Sequence, residues 1–212
     1  MPSETPEWLQ AGGERDVIVA ARRALDLAVN VRPLRVLPGI VSPLSAVNSS
    51  NCDFVVVREN TEGLYAGGSS TARLGTTDAV AVQASITTTA ATTAVIEYAF
   101  ELAITRRSHL TLCHKTNILV DAGRIWMDVL EQISGRYPQV QVDYAHADAM
   151  ALYLVTKPQA FDVIVTDNLF GDILTDIGAA IVGGIGLAAS GNIDPSRTNP
   201  SMFEPVHGSA PD

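Results

Sequence analysis

Two cysteines in 212 residues are too few for a disulfide framework, and Cys52 and Cys113 lack the close spacing of a zinc knuckle. That usage suits a reducing cytoplasm. Basic residues are also scarce: 14 Lys and Arg stand against 23 Asp and Glu, a formal net charge of −9 that repels phosphate backbones and anionic membrane surfaces. No nucleic-acid or membrane partner is expected. The amino-terminal stretch MPSETPEWLQAGGERD lacks the charged start and apolar core of a signal peptide. The longest weakly polar stretch, 177–190, holds four glycines and falls short of the ~20 residues of a membrane span. It reads as a buried helix and turn. What is present is 47% hydrophobic and 17% charged, enough for a sizeable core.

The apolar spacing from Glu14 to Val29 predicts a helix that ends before Pro33. Asp53 to Arg58 is a short β-branched run and reads as a buried strand, opening into the loop Glu59 to Gly63. Gly, Ser and Thr dominate Tyr65 to Thr77, and Ala79 to Ile86 then alternates, the pattern of an extended hairpin or arm of a kind that pairs between subunits. Beyond it the pattern gives helices over Thr88–Ala103, Asp121–Ile133 and Ala147–Val155, strands over Leu110–His114, Val140–Tyr144 and Phe161–Thr166, and a further helix after Asp167–Asp172. Alternating strands and helices define an α/β class with an at least partly parallel sheet.

Asp172 and Asp176 lie four apart on one expected helix face, where a hard divalent cation could bridge them or where they could simply favour the helix start. Asp148 is a third acid near another helix start and by itself reads as a cap. Arg22, Arg32 and Arg58 adjoin segments that should be buried, so each needs an anionic partner: an internal one such as Glu59 or Asp53, or an anionic substrate. Lys115 follows an apolar strand and could lose proton affinity by desolvation; Tyr65 offers a phenol that a neighbouring cation could acidify.

Five segments carry more: Asn30-Val-Arg-Pro33, Val56 to Tyr65 (VVRENTEGLY), His114-Lys-Thr-Asn117, Asp167 to Asp176 (DNLFGDILTD) and Phe203 to Asp212 (FEPVHGSAPD). Together and in this order they resemble the isocitrate/isopropylmalate, or β-decarboxylating, dehydrogenase family, from about Arg22 to the last residue. The resemblance implies an isopropylmalate dehydrogenase-like α/β fold: residues 28–182 as substrate-binding and dimerisation domain, with 1–27 and 183–212 as parts of an incomplete dinucleotide domain. It implies NAD and Mg²⁺ or Mn²⁺ as cofactors, a small dicarboxylate as substrate and a homodimer. Arg22, Arg32 and Arg58 match the arginines that hold the malate carboxylates; Lys115, from a second subunit, matches the catalytic residue that assists proton removal from the substrate hydroxyl, and Tyr65 the acid that protonates the enol after decarboxylation. Asp172 and Asp176, with Asp148 from a second subunit, match the metal ligands, and Asp148 thereby also borders the substrate. Asn117 matches a nicotinamide contact, and His207, Gly208, Ser209, Ala210, Pro211 and Asp212 match the start of the adenosine loop.

Within the family, Asp16 and Ile18 stand where isocitrate enzymes carry a serine and an asparagine, while Ile18 and Val19 stand where leucines touch an isopropyl group. These places favour 3-isopropylmalate and leucine biosynthesis. Arg15 stands where an acid is expected, which keeps homoisocitrate and tartrate or D-malate as alternatives. The family pattern has a strand and glycine loop ahead of Met1 and further helices after Asp212, so the chain reads as truncated at both ends, with little or no turnover expected of it alone; an inactive dimerising remnant is the rival reading.

Overall fold

The computed structural model describes residues 13–206. Seven strands build the middle layer: β1 (Val29–Arg35), β2 (Asp53–Glu59), β5 (His109–His114), β6 (Gln141–His146), β7 (Val163–Thr166), β8 (Ala189–Ile193) and β9 (Met202–Pro205). They form one sheet in the order β6-β5-β7-β2-β1-β8-β9. β6, β5, β7 and β2 run parallel; β1 is antiparallel to β2 and to β8, and β8 to β9. β3 (Ser69–Ala72) and β4 (Val80–Gln83) form a separate antiparallel hairpin whose strand residues are all exposed, the arm expected from the alternation.

Side chains alternate across a strand, and here the alternation separates two cores. Val29, Val55, Val57, Val163 and Val165 pack beneath α2 (Thr89–Ile104) and α3 (Val120–Ser134), through Phe100 and Trp126 among others. Leu34, Phe54, Val56 and Ile164 face the other way, onto α4 (Ala147–Thr156) and α5 (Asn168–Ile181), where Met150, Leu154 and Leu174 meet them. At the amino-terminal edge of β2 and β7, buried Asp162 accepts from Arg106 Nε at 2.8 Å and from the Arg107 backbone N–H at 2.8 Å, and Arg106 also reaches Asp53 at 2.7 Å. This is a structural clamp on the end of the sheet away from the site. Among the described residues no helix is long and apolar enough to cross a membrane.

Three expectations are corrected. The first helix, α1, spans Gly13–Ala24, and Asn30 to Pro33 lies in β1 instead. Asp26 takes a positive φ of 49°, which breaks the helix, and Pro33 fits the strand because β8 pairs only with Val29–Val31, so no ladder bond asks for its missing N–H. Helix and turn do not fill 177–190: α5 ends at Ile181, a short turn spans Ile185–Leu187, and β8 begins at Ala189. Asp172 and Asp176 lie beyond the first turn of α5, whose cap is Asp167, its side chain accepting from Phe170 N at 2.8 Å. Macrodipole stabilisation fades within one turn, so it does not account for the pair.

Candidate active site

On the α5 face the apolar row Leu34, Phe54, Val56 and Ile164 gives way, one step along each strand, to Arg32, Asn30, Arg58 and Thr166. Asn30, Arg58 and Thr166 are registered neighbours on β1, β2 and β7. The polar row lies at the carboxyl ends of the parallel strands, beside the point where β2 exchanges a parallel neighbour for an antiparallel one, the kind of place where open α/β sheets receive ligands.

Arg58 is 1% exposed and uses all three nitrogens of its fork: Nε and Nη2 donate to Asn168 Oδ1 at 3.1 and 2.7 Å, and Nη1 to Asp172 Oδ1 at 2.5 Å, which leaves two of its five N–H donors for a further anion. Gly171 makes room for it, since a Cβ there would lie 2.5 Å from Arg58 Cγ. Arg32 donates to Asn30 Oδ1 at 2.7 Å and to Thr175 Oγ1, and its Nη2 lies 3.6 Å from Asp172. Burial first, and Arg58 second, lower the Arg32 pKa to about 10. Tyr65 donates its hydroxyl to Asp172 Oδ2 at 2.9 Å, with the Arg58 guanidinium 5.5 Å from its ring centre. Asp172 is half-exposed, and Asp176 one turn on is raised above the usual carboxyl range by burial and by Asp172. Arg22 lies at the margin, 2.7 Å from Glu204.

The internal partners expected for the arginines are not the ones found. Glu59 turns to its own loop, accepting from Thr61 and Glu62, and Asp53 goes to Arg106. Tyr65 is not acidified: burial and then Asp172 raise its pKa against the opposing Arg58, so it holds its proton. Lys115, its side chain 25% exposed, forms a 2.6 Å ion pair with Asp148, whose carboxylate is largely exposed and lowered in pKa by that bond. Asp148 is not the cap of α4, a place His146 takes, but lies in its first turn. Asn117 is exposed between β5 and α3. One chain thus brings together Arg32, Arg58, Tyr65, Asp172 and Asp176, and keeps Lys115 and Asp148 apart as a second group, partly buried at Lys115 and exposed at Asp148. Among the described residues no three acidic, His or Cys side chains come close enough to hold a metal. His207 to Asp212 lie outside the described residues.

The family model of isocitrate/isopropylmalate dehydrogenase matches residues 1–212. The chain belongs to that family. It is 59% identical over 208 residues to 3-isopropylmalate dehydrogenase of Corynebacterium jeikeium, covering 98% of this chain and 61% of the relative. It is 56% identical over 211 residues to the enzyme of that name from Rhodococcus opacus, again 61% of its length. Among solved structures, isocitrate dehydrogenase from Methylococcus capsulatus aligns with a TM-score of 0.83 at 40% identity, covering 95% of this chain and 57% of that one. The TT0538 protein from Thermus thermophilus aligns with the same score at 35% identity, over 99% of this chain and 40% of that one. The chain therefore spans about three fifths of the length of these curated relatives.

Family motifs also contain residues that pattern reading passed over. Asn168 and Thr175 hold the arginines, and no spacing rule marks them. His114, next to Lys115, is buried beside Trp126 and Phe170, with Nε2 3.7 Å from Asp167, at a cavity of about 270 Å³. Burial lowers His114 to about 4 and raises Asp167 to about 6. Unfolded His114 binds its proton below about 6.5, so it adds stability as pH rises from 4 to 6.5; unfolded Asp167 releases its proton above about 3.8, so it removes stability from 4 to 6. The two slopes oppose. Stability of Asp167→Asn is therefore expected to climb with pH across 4–6, and that of His114→Asn to fall, each by up to about 1.4 kcal/mol per pH unit. Chemical denaturation at several pH values checks both signs.

Proposed function

We propose that this chain is the substrate-binding and dimerising part of a cytoplasmic homodimer that oxidatively decarboxylates 3-isopropylmalate, using NAD and Mg²⁺ or Mn²⁺. The observation that carries the reading is a charge imbalance. Two buried guanidinium groups, Arg32 and Arg58, share Asp172 as their one ion-pair partner among the described residues, Asp176 standing further off, and burial first and Arg58 second lower the pKa of Arg32. A buried surplus of positive charge is costly unless an anion joins it, and a dicarboxylate supplies one. The relatives' names favour 3-isopropylmalate among the malates.

Arg22, Arg32 and Arg58 bind and orient the carboxylates. Lys115 of a second copy would assist removal of the substrate hydroxyl proton, and Tyr65, which arrives protonated, would supply its proton to the carbon that loses CO₂. Asp172 and Asp176 suit a hard cation, because the burial and, second, the Asp172 charge that raise Asp176 are both offset by one. Among the described residues a single chain brings only these two together, and Asp148 of a second copy would complete the donor set. When bound, NAD supplies the hydride acceptor and the cation a Lewis acid for the oxygen that gains charge. Asn117 then contacts the nicotinamide, and His207 to Asp212 the adenosine. An acid at Asp212 accepts from ribose hydroxyls and repels a 2′-phosphate, which favours NAD over NADP.

Steady-state assays of the native protein test this. Turnover of 3-isopropylmalate with NAD is expected at least tenfold above that of isocitrate, homoisocitrate, D-malate or tartrate; preference for another malate or for NADP overturns the assignment. Asp172→Asn is expected to weaken Mn²⁺ binding at least tenfold by calorimetry, and equal affinity removes Asp172 from the metal site.

A further inference from the structure

Arg22 and Arg32 come from different elements, α1 and β1, yet one buried hydrogen-bond network joins them. Arg22 Nη2 donates to Glu204 Oε1 on β9 at 2.7 Å. The same oxygen accepts from Asn192 Nδ2 on β8 at 2.9 Å, and the Met202 carbonyl accepts from that nitrogen at 3.2 Å. On the other side of the amide, Asn192 Oδ1 accepts from Asn30 Nδ2 at 3.0 Å and from Asn60 Nδ2 at 2.8 Å. Asn30 Oδ1 in turn accepts from Arg32 Nε at 2.7 Å, while its Nδ2 also donates to Ser190 Oγ at 2.7 Å.

Asn192 and Asn30 are both fully buried and are registered partners across β8 and β1. A primary amide offers two donors and two acceptor sites, and Asn192 uses all four. No other side chain of its length fills that pattern: aspartate loses both donors and sets a second carboxylate against Glu204, and an apolar residue strands the Asn30 and Asn60 amides. Arg22 Nε is also buried and has no partner among the described residues, so the network holds this guanidinium with a buried N–H unspent.

We propose that Asn192 is a positioning residue that sets Arg22, through Glu204, and Arg32, through Asn30, in one mutual orientation. It touches no substrate atom. The proposal rests on the reading that these arginines receive the substrate carboxylates, and it assigns their relative placement to a strand, β8, that carries no charged residue.

The test uses the full native protein with 3-isopropylmalate, thermal unfolding serving to show that each variant is folded. Asn192→Asp is expected to raise KM at least tenfold with kcat within threefold of wild type. Glu204→Ala, on the partly exposed edge strand, is expected to do the same, and Glu204→Gln to restore KM to within threefold, since its amide oxygen still accepts from both neighbours. Arg22→Lys and Arg32→Lys test the underlying reading. If they leave KM unchanged, the arginine assignment itself fails. If they raise KM while folded Asn192→Asp and Glu204→Ala both stay within twofold of wild type, the relay alone is overturned. A folded Asn192→Asp that loses kcat with KM unchanged overturns it as well. Should Asn192→Asp not fold, the Glu204 pair decides: equal KM for Ala and Gln overturns the relay, and rescue by Gln upholds it.

Discussion

Arg58→Met in the native protein is expected to lower kcat/KM for 3-isopropylmalate by roughly thirty- to several-thousand-fold. Truncating one member of a buried, hydrogen-bonded charge pair costs about 2–5 kcal/mol, and each 1.4 kcal/mol is about tenfold. Three losses coincide at this position. Asn168 Oδ1 loses both of its guanidinium donors, Asp172 keeps the Tyr65 hydroxyl but has only Arg32, at 3.6 Å, as a cation, and the Tyr65 ring loses its own. Arg58→Lys keeps the charge but not the planar fork that meets Asn168 and Asp172 together, so it is expected to recover only part of the loss. Steady-state kinetics read beside thermal unfolding check this, and a folded Arg58→Met with unchanged KM would show that the substrate carboxylate is held elsewhere.

The largest expected effect on stability lies at the opposite end of the sheet. Asp162→Ala is expected to destabilise the protein by about 3–5 kcal/mol, the usual result of removing one partner from a buried ion pair, against a total of about 5–15 kcal/mol for a typical domain. The Asp162 carboxylate is 1% exposed; it receives Arg106 Nε and the backbone N–H of Arg107, and the Arg107 guanidinium stands 3.8 Å away. Its loss removes the acceptor of Arg106 Nε and of the Arg107 backbone N–H, while Arg106 keeps its 2.7 Å bond to Asp53. Denaturant titration measures the change. An effect below about 1 kcal/mol would mean that water replaces the carboxylate at little cost.

Sequence pattern carried most of the parallel half of the sheet, because β2, β5 and β7 are β-branched or apolar runs and the helices that cover them keep regular spacing. It failed where local preference and tertiary pairing disagree. β8 reads Ala-Ser-Gly-Asn-Ile, a poor strand by composition, and exists because β1 and β9 flank it. β1 hid behind Pro33 for the same reason. The charged members of the site were visible because Arg, Asp, Lys and Tyr announce chemistry wherever they stand. Their neutral partners were not: Asn168, Thr175, Asn30 and Asn192 act through contacts with residues 110, 143 and 162 positions away, and an asparagine in a short polar stretch looks like any turn residue. Tyr65 shows a subtler limit. A nearby cation was legible, but the burial and the Asp172 carboxylate that outweigh it were not.

The place of β8 in the sheet also bears on the order in which the molecule assembles. Asn30 and Asn192 meet across 162 positions of chain, whereas the β3–β4 hairpin closes over fewer than twenty. Closing a longer loop costs more chain entropy, and distant contacts form late because they repay that cost only once the intervening segments are folded. The parallel strands and their helices can therefore consolidate first, leaving Arg22 and Arg32 without a shared frame until β8 inserts. Competence to grip a dicarboxylate would then be the last property the folding chain acquires, and the first it gives up when β8 frays.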